Sequence, residues 1–223
     1  MIELALQKIH HQNGAVLGHE VLARKTTVQG VLGPGVFMAG ATDEDWERLD
    51  AEVIGLVVAR AHELPARGIL FINLSPASLL NLLHLNRLCQ LVSGLSLSVC
   101  FEIPELSPLQ GVDLEERLVM IRRHGIAVAI DDYGQDSADS ARLKRHAWDF
   151  CKIDLPALAR SINLDWVIDA RDHCTRCGTG LILEKVEQEH LLCEVLLPLT
   201  GAARQGFGLS MPFLLPAAAL AAS

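Results

Sequence analysis

Short β-rich apolar runs alternate with helically spaced runs along almost the whole chain, and this alternation limits the fold more than any other feature of the sequence. The β runs cover 69–74, 97–103, 126–130, 150–153, 180–183 and 202–207; the helical runs between them cover 79–92, 114–124, 138–145, 158–174 and 189–197. Nearly every β run is apolar on both faces, as parallel strands covered by helices are. No Pro/Gly/Ser-rich linker or shift of composition interrupts the series, so residues 1–223 read as one domain on one closed or doubly wound sheet.

The opening of the chain follows a different pattern. Two alternating runs, 2–9 and 15–23, flank His11-Gln12-Asn13-Gly14, whose Asn-Gly pair signals a hairpin, so the sheet starts antiparallel. Over 43–64, Trp46, Leu49, Val53, Ile54, Val57 and Val58 recur at helical spacing behind Thr42 and Asp43 as capping residues, which predicts the first long helix. The glycine-rich stretch from Gly30 to Gly35 lacks the Lys-Ser or Lys-Thr of a phosphate-cradling loop and reads as a turn.

Six of the β runs end in polar residues: Asn73, Glu102, Asp131 with Asp132, Lys152, Glu184 and Gln205. In a parallel barrel the carboxyl ends of all strands meet on one face, so these side chains share a basin. With Glu20, near the end of the second opening run, the basin holds five carboxylates beside an asparagine amide and a lysine. Such a cluster is too costly without cations. Oxygen-only ligands favour Mg2+ or Mn2+, and an Asp-Asp pair suits two ions, which points to two-metal phosphoester chemistry.

Composition excludes several alternatives. Half the residues are apolar and mean hydropathy is +0.29, so the chain can bury a core. The longest apolar stretch, 208–222, is interrupted by Pro212 and Pro216 and is too short to span a membrane; it reads as a last barrel turn plus tail. The N-terminus carries no secretion signal, and the six cysteines mostly sit in apolar segments, which suits a reducing cytoplasm. A net charge of −8 without a basic, aromatic-interleaved stripe argues against long nucleic acid as a partner; Trp46, Trp148 and Trp166 read as packing residues. Cys174-Thr-Arg-Cys177 has no second pair at zinc-finger spacing and reads as part of a helix, and Glu187-x-x-His190 has no repeat on another helix and reads as a solvated helix face.

The motifs occur in a distinctive order: Glu20-Val-Leu22 followed by Ala23-Arg24, then Asn73-Leu-Ser-Pro76, Glu102-Ile-Pro-Glu105, Asp131-Asp-Tyr-Gly134, Lys152-Ile-Asp154, Glu184-Lys-Val-Glu187 and Gln205-Gly-Phe207. Together they resemble the EAL family of cyclic di-GMP phosphodiesterases over residues 4–212, leaving 213–223 as a C-terminal tail. The resemblance implies an α/β fold, a TIM-like (β/α) barrel with an antiparallel strand at the start. It also implies hydrolysis of cyclic di-GMP to linear pGpG through water activated by two ions. By position, Glu20, Asn73, Glu102 and Asp131 would hold one metal, and Asp131 with Asp132 the second. Lys152, Glu184 and Glu20 would serve catalysis, Arg24, Leu22 and Gln205 would contact substrate, and Glu105 and Glu187 would anchor a loop.

The chain departs from the family pattern after Asp132. Active members read Phe-Gly-Thr-Gly-Tyr-Ser there, whereas here Tyr133-Gly134 is followed by Gln135, Asp136 and Ser137, and the second glycine is lost. Pro104 stands in place of the usual threonine, and the segment 25–50 is short. The alternative to an enzyme is therefore an inactive EAL module that acts as a cyclic di-GMP receptor or protein-interaction domain. The family resemblance leaves a homodimer and a separate protein partner both open.

Overall fold

The computed structural model of the chain describes residues 1–105, 107–135, 140–187 and 199–216. Strands β1 (Glu3–His10) and β2 (Val16–Thr27) form the expected hairpin, in register from Glu3 opposite Arg24 to Ile9 opposite Gly18. At its turn Gly14 adopts φ +83°, a conformation that costs glycine little. After α1 (Pro34–Phe37), helix α2 (Asp43–Ala59) starts in a capping box: the Thr42 hydroxyl accepts from the Asp45 N–H while the Asp45 carboxylate accepts from the Thr42 N–H. The helical periodicity read to residue 64 ends in a 3-10 turn, Ala61–Glu63.

The βα series then runs β4 (Ile69–Asn73), α3 (Pro76–Leu80), α4 (Leu82–Ser93), β5 (Ser98–Pro104), α5 (Gly111–Arg123), β6 (Ala127–Tyr133), α6 (Ser140–Arg145), β7 (Phe150–Asp154), α7 (Leu155–Arg160), α8 (Asp165–Cys177), β8 (Gly180–Glu184) and β9 (Ala203–Arg204). Two helices expected to be continuous are broken. Asn81 ends α3 and caps α4, accepting from the His84 N–H, and Ser161 ends α7, so the run 158–174 divides. The helix expected over 189–197 lies outside the described residues.

Parallel ladders join β2 to β4 and continue in sequence order through β9, while β1 pairs antiparallel with both β2 and β9. The result is a closed eight-stranded barrel, as expected, with one antiparallel stave.

Two expectations fail at the edges. The segment read as a turn at 30–35 contains β3 (Gly30–Leu32), which pairs with the end of β2; the turn itself precedes it, at Thr27 to Gly30. Nor do residues 213–216 behave as a tail: β10 (Phe213–Leu214) pairs with Leu6 and Ala5 of β1, and the Leu215 N–H donates to the Leu4 carbonyl at 2.8 Å. The cause is the shortness of β9, which meets β1 only at His10 and leaves the rest of that edge free to pair.

Inside the barrel the pleat sets up two layers. Side chains two residues apart on a strand share a face. Ile9, Phe71, Cys100, Ala129, Ile182 and Ala203 pack as a buried cluster against Phe150 and form an apolar floor. Two residues along the same faces stand Gln7, Asn73, Glu102, Asp131, Lys152, Glu184 and Gln205, with Glu20 two beyond Gly18 on β2. A β-carbon on Gly18 would lie 2.3 Å from the Ile69 carbonyl oxygen, so the inward position of this strand adds no side chain to the floor. The helices cover the outside of the barrel with a second, larger apolar cluster. Among the described residues no helix is long and apolar enough to cross a membrane.

Gly206 carries the chain past the end of β8. A β-carbon there would sit 2.1 Å from the Val186 carbonyl oxygen and 2.2 Å from its nitrogen, so this backbone crossing admits only glycine. Gly206→Ala should therefore destabilise the fold by about 1–3 kcal/mol and lower Tm by roughly 2–12 °C, measured by thermal denaturation. An unchanged Tm would contradict this packing.

Candidate metal and phosphoester site

Above the floor, the polar layer is organised by one lysine. Lys152 Nζ, fully buried on β7, lies 2.5 Å from Glu102 Oε1, 2.9 Å from Asp131 Oδ1 and 2.7 Å from Glu184 Oε1. These are ion-pair distances without hydrogen-bond angles: Lys152 Nζ, both Glu102 oxygens, Asp131 Oδ1 and Glu184 Oε2 complete no hydrogen bond. Burial works against the Lys152 charge, but Asp131, Glu102, Glu184 and Glu20 together outweigh it and hold its pKa well above the ordinary value. Burial pushes the Glu102 carboxyl well up, against the pull of Lys152 and aided by Glu20, Asp131 and Glu184. Glu184 is also raised, by burial first and then by Asp131. At this end of the basin one ammonium stands among four carboxylates, Asp131, Glu102, Glu184 and Glu20, so negative charge is in excess.

Glu20 is fixed from the other side. Its Oε1 accepts from Asn73 Nδ2 at 2.8 Å and its Oε2 accepts from Gln205 Nε2. Gln205 Nε2 also donates to Gln7 Oε1 at 3.2 Å, and Gln7 Nε2 donates to the Ser210 carbonyl at 3.0 Å. Gln7 lies directly opposite Glu20 on β1 and is buried, yet sequence reasoning missed it. The available signal was its spacing of two from Ile9.

A β-bulge presents both aspartates. Ile130 pairs with Cys151 and Tyr133 with Ile153, so β6 carries one extra residue where Asp131 and Asp132 lie. Adjacent strand residues normally face opposite ways, and a bulge re-aims one of them. Asp131 turns inward to Lys152, while Asp132 takes φ +51° and meets Lys185 Nζ at 2.8 Å. In the loop beyond, Glu105 Oε2 accepts from the Gly134 N–H at 3.1 Å. Gly134, at φ +99°, lies against Trp166, where a β-carbon would come within 2.4 Å of the indole; Tyr133 is buried beside the same ring. Asp136 and Ser137, where the loop departs most, lie outside the described residues, as do His190 and Cys193.

The layer opens into a cavity of about 560 Å³ lined by Glu20, Asn73, Asp131, Asp132, Glu184 and Gln205, and by Leu22, Arg24 and Glu187. That volume suits a small-molecule ligand. Glu102 and Lys152 are fully buried beneath it. Trp46, Leu49, Pro34 and Phe207 give it apolar walls. Asp50 supports the wall from α2: its Oδ2 accepts from the Ser75 N–H and the Ser75 and Ser78 hydroxyls at 2.6–2.8 Å, tying down the segment after Asn73.

The donors fit hard divalent cations. They are carboxylate and amide oxygens, several lacking partners, in a basin deficient in positive charge. Among the described residues no three acid, thiol or imidazole groups are spaced as a ready-made metal cage, since Lys152 stands between Glu102, Asp131 and Glu184. Cys174 is buried and Cys177 exposed on α8, away from the cavity lining.

A comparison with curated proteins finds no match. Among solved structures, the chain is similar to the Bacillus subtilis YkuI protein, which has an EAL domain and was solved with substrate c-di-GMP and calcium: 25% identity, TM-score 0.79, over 95% of this chain and 54% of that one. The Klebsiella pneumoniae BlrP1 manganese/cy-diGMP complex at pH 6 gives 27% identity and a TM-score of 0.80 over 96% of this chain and 56% of that one. An EAL domain protein from Listeria monocytogenes EGD-e shares the fold, with 22% identity and a TM-score of 0.74 over 95% and 88% of the two chains. The chain thus spans just over half the length of YkuI and BlrP1. The EAL domain model matches residues 2–212, and with the barrel and the ordered polar layer in place, the chain belongs to the EAL-domain family.

Proposed function

We propose that this protein binds cyclic di-GMP in the cavity at the carboxyl end of the barrel and hydrolyses one phosphodiester bond to give linear pGpG, using two Mg2+ or Mn2+ ions. The observation that carries this reading is the polar layer itself, in which buried carboxylates with unpartnered oxygens surround one lysine at the foot of a ligand-sized cavity. YkuI and BlrP1, similar in fold and sequence, were solved with this nucleotide and a divalent cation.

In this reading Glu20, Asn73, Glu102 and Asp131 would hold one ion, and Asp131 with Asp132 the second. When bound, the ions supply an acidified water and neutralise charge on the phosphoryl oxygens. The remaining work falls to the chain. Lys152 keeps its proton and is fixed by three carboxylates, so its ammonium can orient the attacking water without covalent chemistry. Glu184 completes the charge around that ammonium. Gln205 and Asn73 hold the Glu20 carboxylate in one orientation, so it meets ligand without reorganising. Arg24 would offer a guanidinium to a phosphate and Leu22 and Trp46 apolar surface to a base, all three lining the cavity, while Glu105, which accepts from the Gly134 N–H, and Glu187 would anchor the surrounding loops. The free thiols Cys89, Cys100, Cys151 and Cys174, all buried, suit a reducing cytoplasm.

Cyclic di-GMP incubated with the purified protein and Mg2+ or Mn2+, then resolved from pGpG by chromatography, tests the reading. Wild type should form pGpG. Glu20→Ala should lose at least the tenfold to about a hundredfold that loss of a metal site's outer-shell partner costs. Tight nucleotide binding without product would make the protein a receptor, and neither binding nor product would refute both.

The role of Lys152 predicts a stability effect as well. Lys152→Met leaves Glu102, Asp131 and Glu184 without their cation and should cost about 3–5 kcal/mol in chelator-treated protein by urea denaturation. Added Mn2+ should recover more stability in the variant than in wild type. A variant as stable as wild type in the presence of chelator would contradict this role.

A further inference from the structure

Lys185 is the remaining cation in the basin, and the family reading gives it no task. Only two non-glycine residues among those described have positive φ, Asp132 at +51° and Lys185 at +57°, and their side chains meet. A left-handed conformation is strained for a residue with a β-carbon, and such strain persists where the side chain has a use. Lys185 Nζ lies 2.8 Å from Asp132 Oδ1 and also pairs with Asp154 Oδ2. Asp154 is itself a rigid post: it is buried at the end of β7, and its Oδ1 accepts from the Ala157 N–H at 2.6 Å to cap α7. If Lys185 swung away, a buried carboxylate oxygen would lose its cation, which is costly. The ammonium is therefore held at the edge of the cavity, which Lys185 lines beside Asp132 and Glu184.

We propose that Lys185 is a positioning residue that acts as a resident cation on Asp132, making the two divalent sites unequal: the Asp132 end binds its ion weakly, and the Glu20, Asn73, Glu102 and Asp131 end binds tightly. The basis is charge. The buried lysine at the Glu102 end faces Glu102, Asp131 and Glu184, with Glu20 close by, so negative charge is in excess there. At the bulge a single ammonium contacts Asp132 directly, so a second ion there meets a carboxylate already paired. Occupancy of the second site, and any chemistry that needs it, then follows the divalent-ion concentration.

The inference rests on the basin binding divalent ions, and the experiment separates the two failures. Mn2+ binding to the full chain without nucleotide is followed by the loss of the free-ion electron paramagnetic resonance signal, for wild type, Lys185→Met and Lys185→Arg. Wild type should show one tight and one weak ion. Lys185→Met should tighten the weak ion about tenfold and leave the tight one unchanged, while Lys185→Arg should behave as wild type. Two ions of unchanged affinities in Lys185→Met would overturn the role of Lys185 and leave the metal basin standing. No Mn2+ binding by folded wild type would overturn the basin reading and the inference with it.

Discussion

Everything in the candidate site depends on a buried ammonium held by acids. Lys152 could not keep its charge inside a barrel without Glu102, Asp131 and Glu184 at 2.5–2.9 Å, and those acids could not share that space without it. The pairing is incomplete, because one lysine faces four carboxylates and several oxygens find no donor. A fold that keeps such a deficit gives up stability at a functional centre, and cations relieve the deficit.

The barrel makes this arrangement inexpensive to build. Each barrel strand except β2, where Gly18 stands, spends one inward position on the floor, from Ile9 to Ala203, and the next inward position on the polar layer. Large floor residues such as Phe71 and Phe150 pack edge to face with ring centroids 5.1 Å apart beneath the polar layer. The ion pairs above therefore rest on an apolar base. The bulge on β6 adds the second aspartate without disturbing the other strands, because Tyr133 returns to the core one residue later.

Much of this was legible in the sequence for a simple reason. In parallel strands the carboxyl ends converge, so Asn73, Glu102, Asp131, Lys152, Glu184 and Gln205 could be collected by noting where each apolar run stopped. The same rule hid Gln7, because β1 runs antiparallel and brings its middle, not its end, to the layer. It also hid Lys185, which stands one residue past the end of β8 in a backbone conformation that propensity does not reveal. The pairing of 213–214 with β1 was invisible because it follows from how short β9 is. The helix breaks at Asn81 and Ser161 were overlooked because apolar periodicity continues across them.

The most direct measurement is anomalous diffraction from crystals of the protein grown with Mn2+ and the non-hydrolysed nucleotide. The account predicts a manganese peak within coordination distance of Glu20, Asn73, Glu102 and Asp131, with Lys152 Nζ still against the carboxylates below it. Manganese bound elsewhere on the surface, or an empty basin with the nucleotide seated away from it, would contradict it.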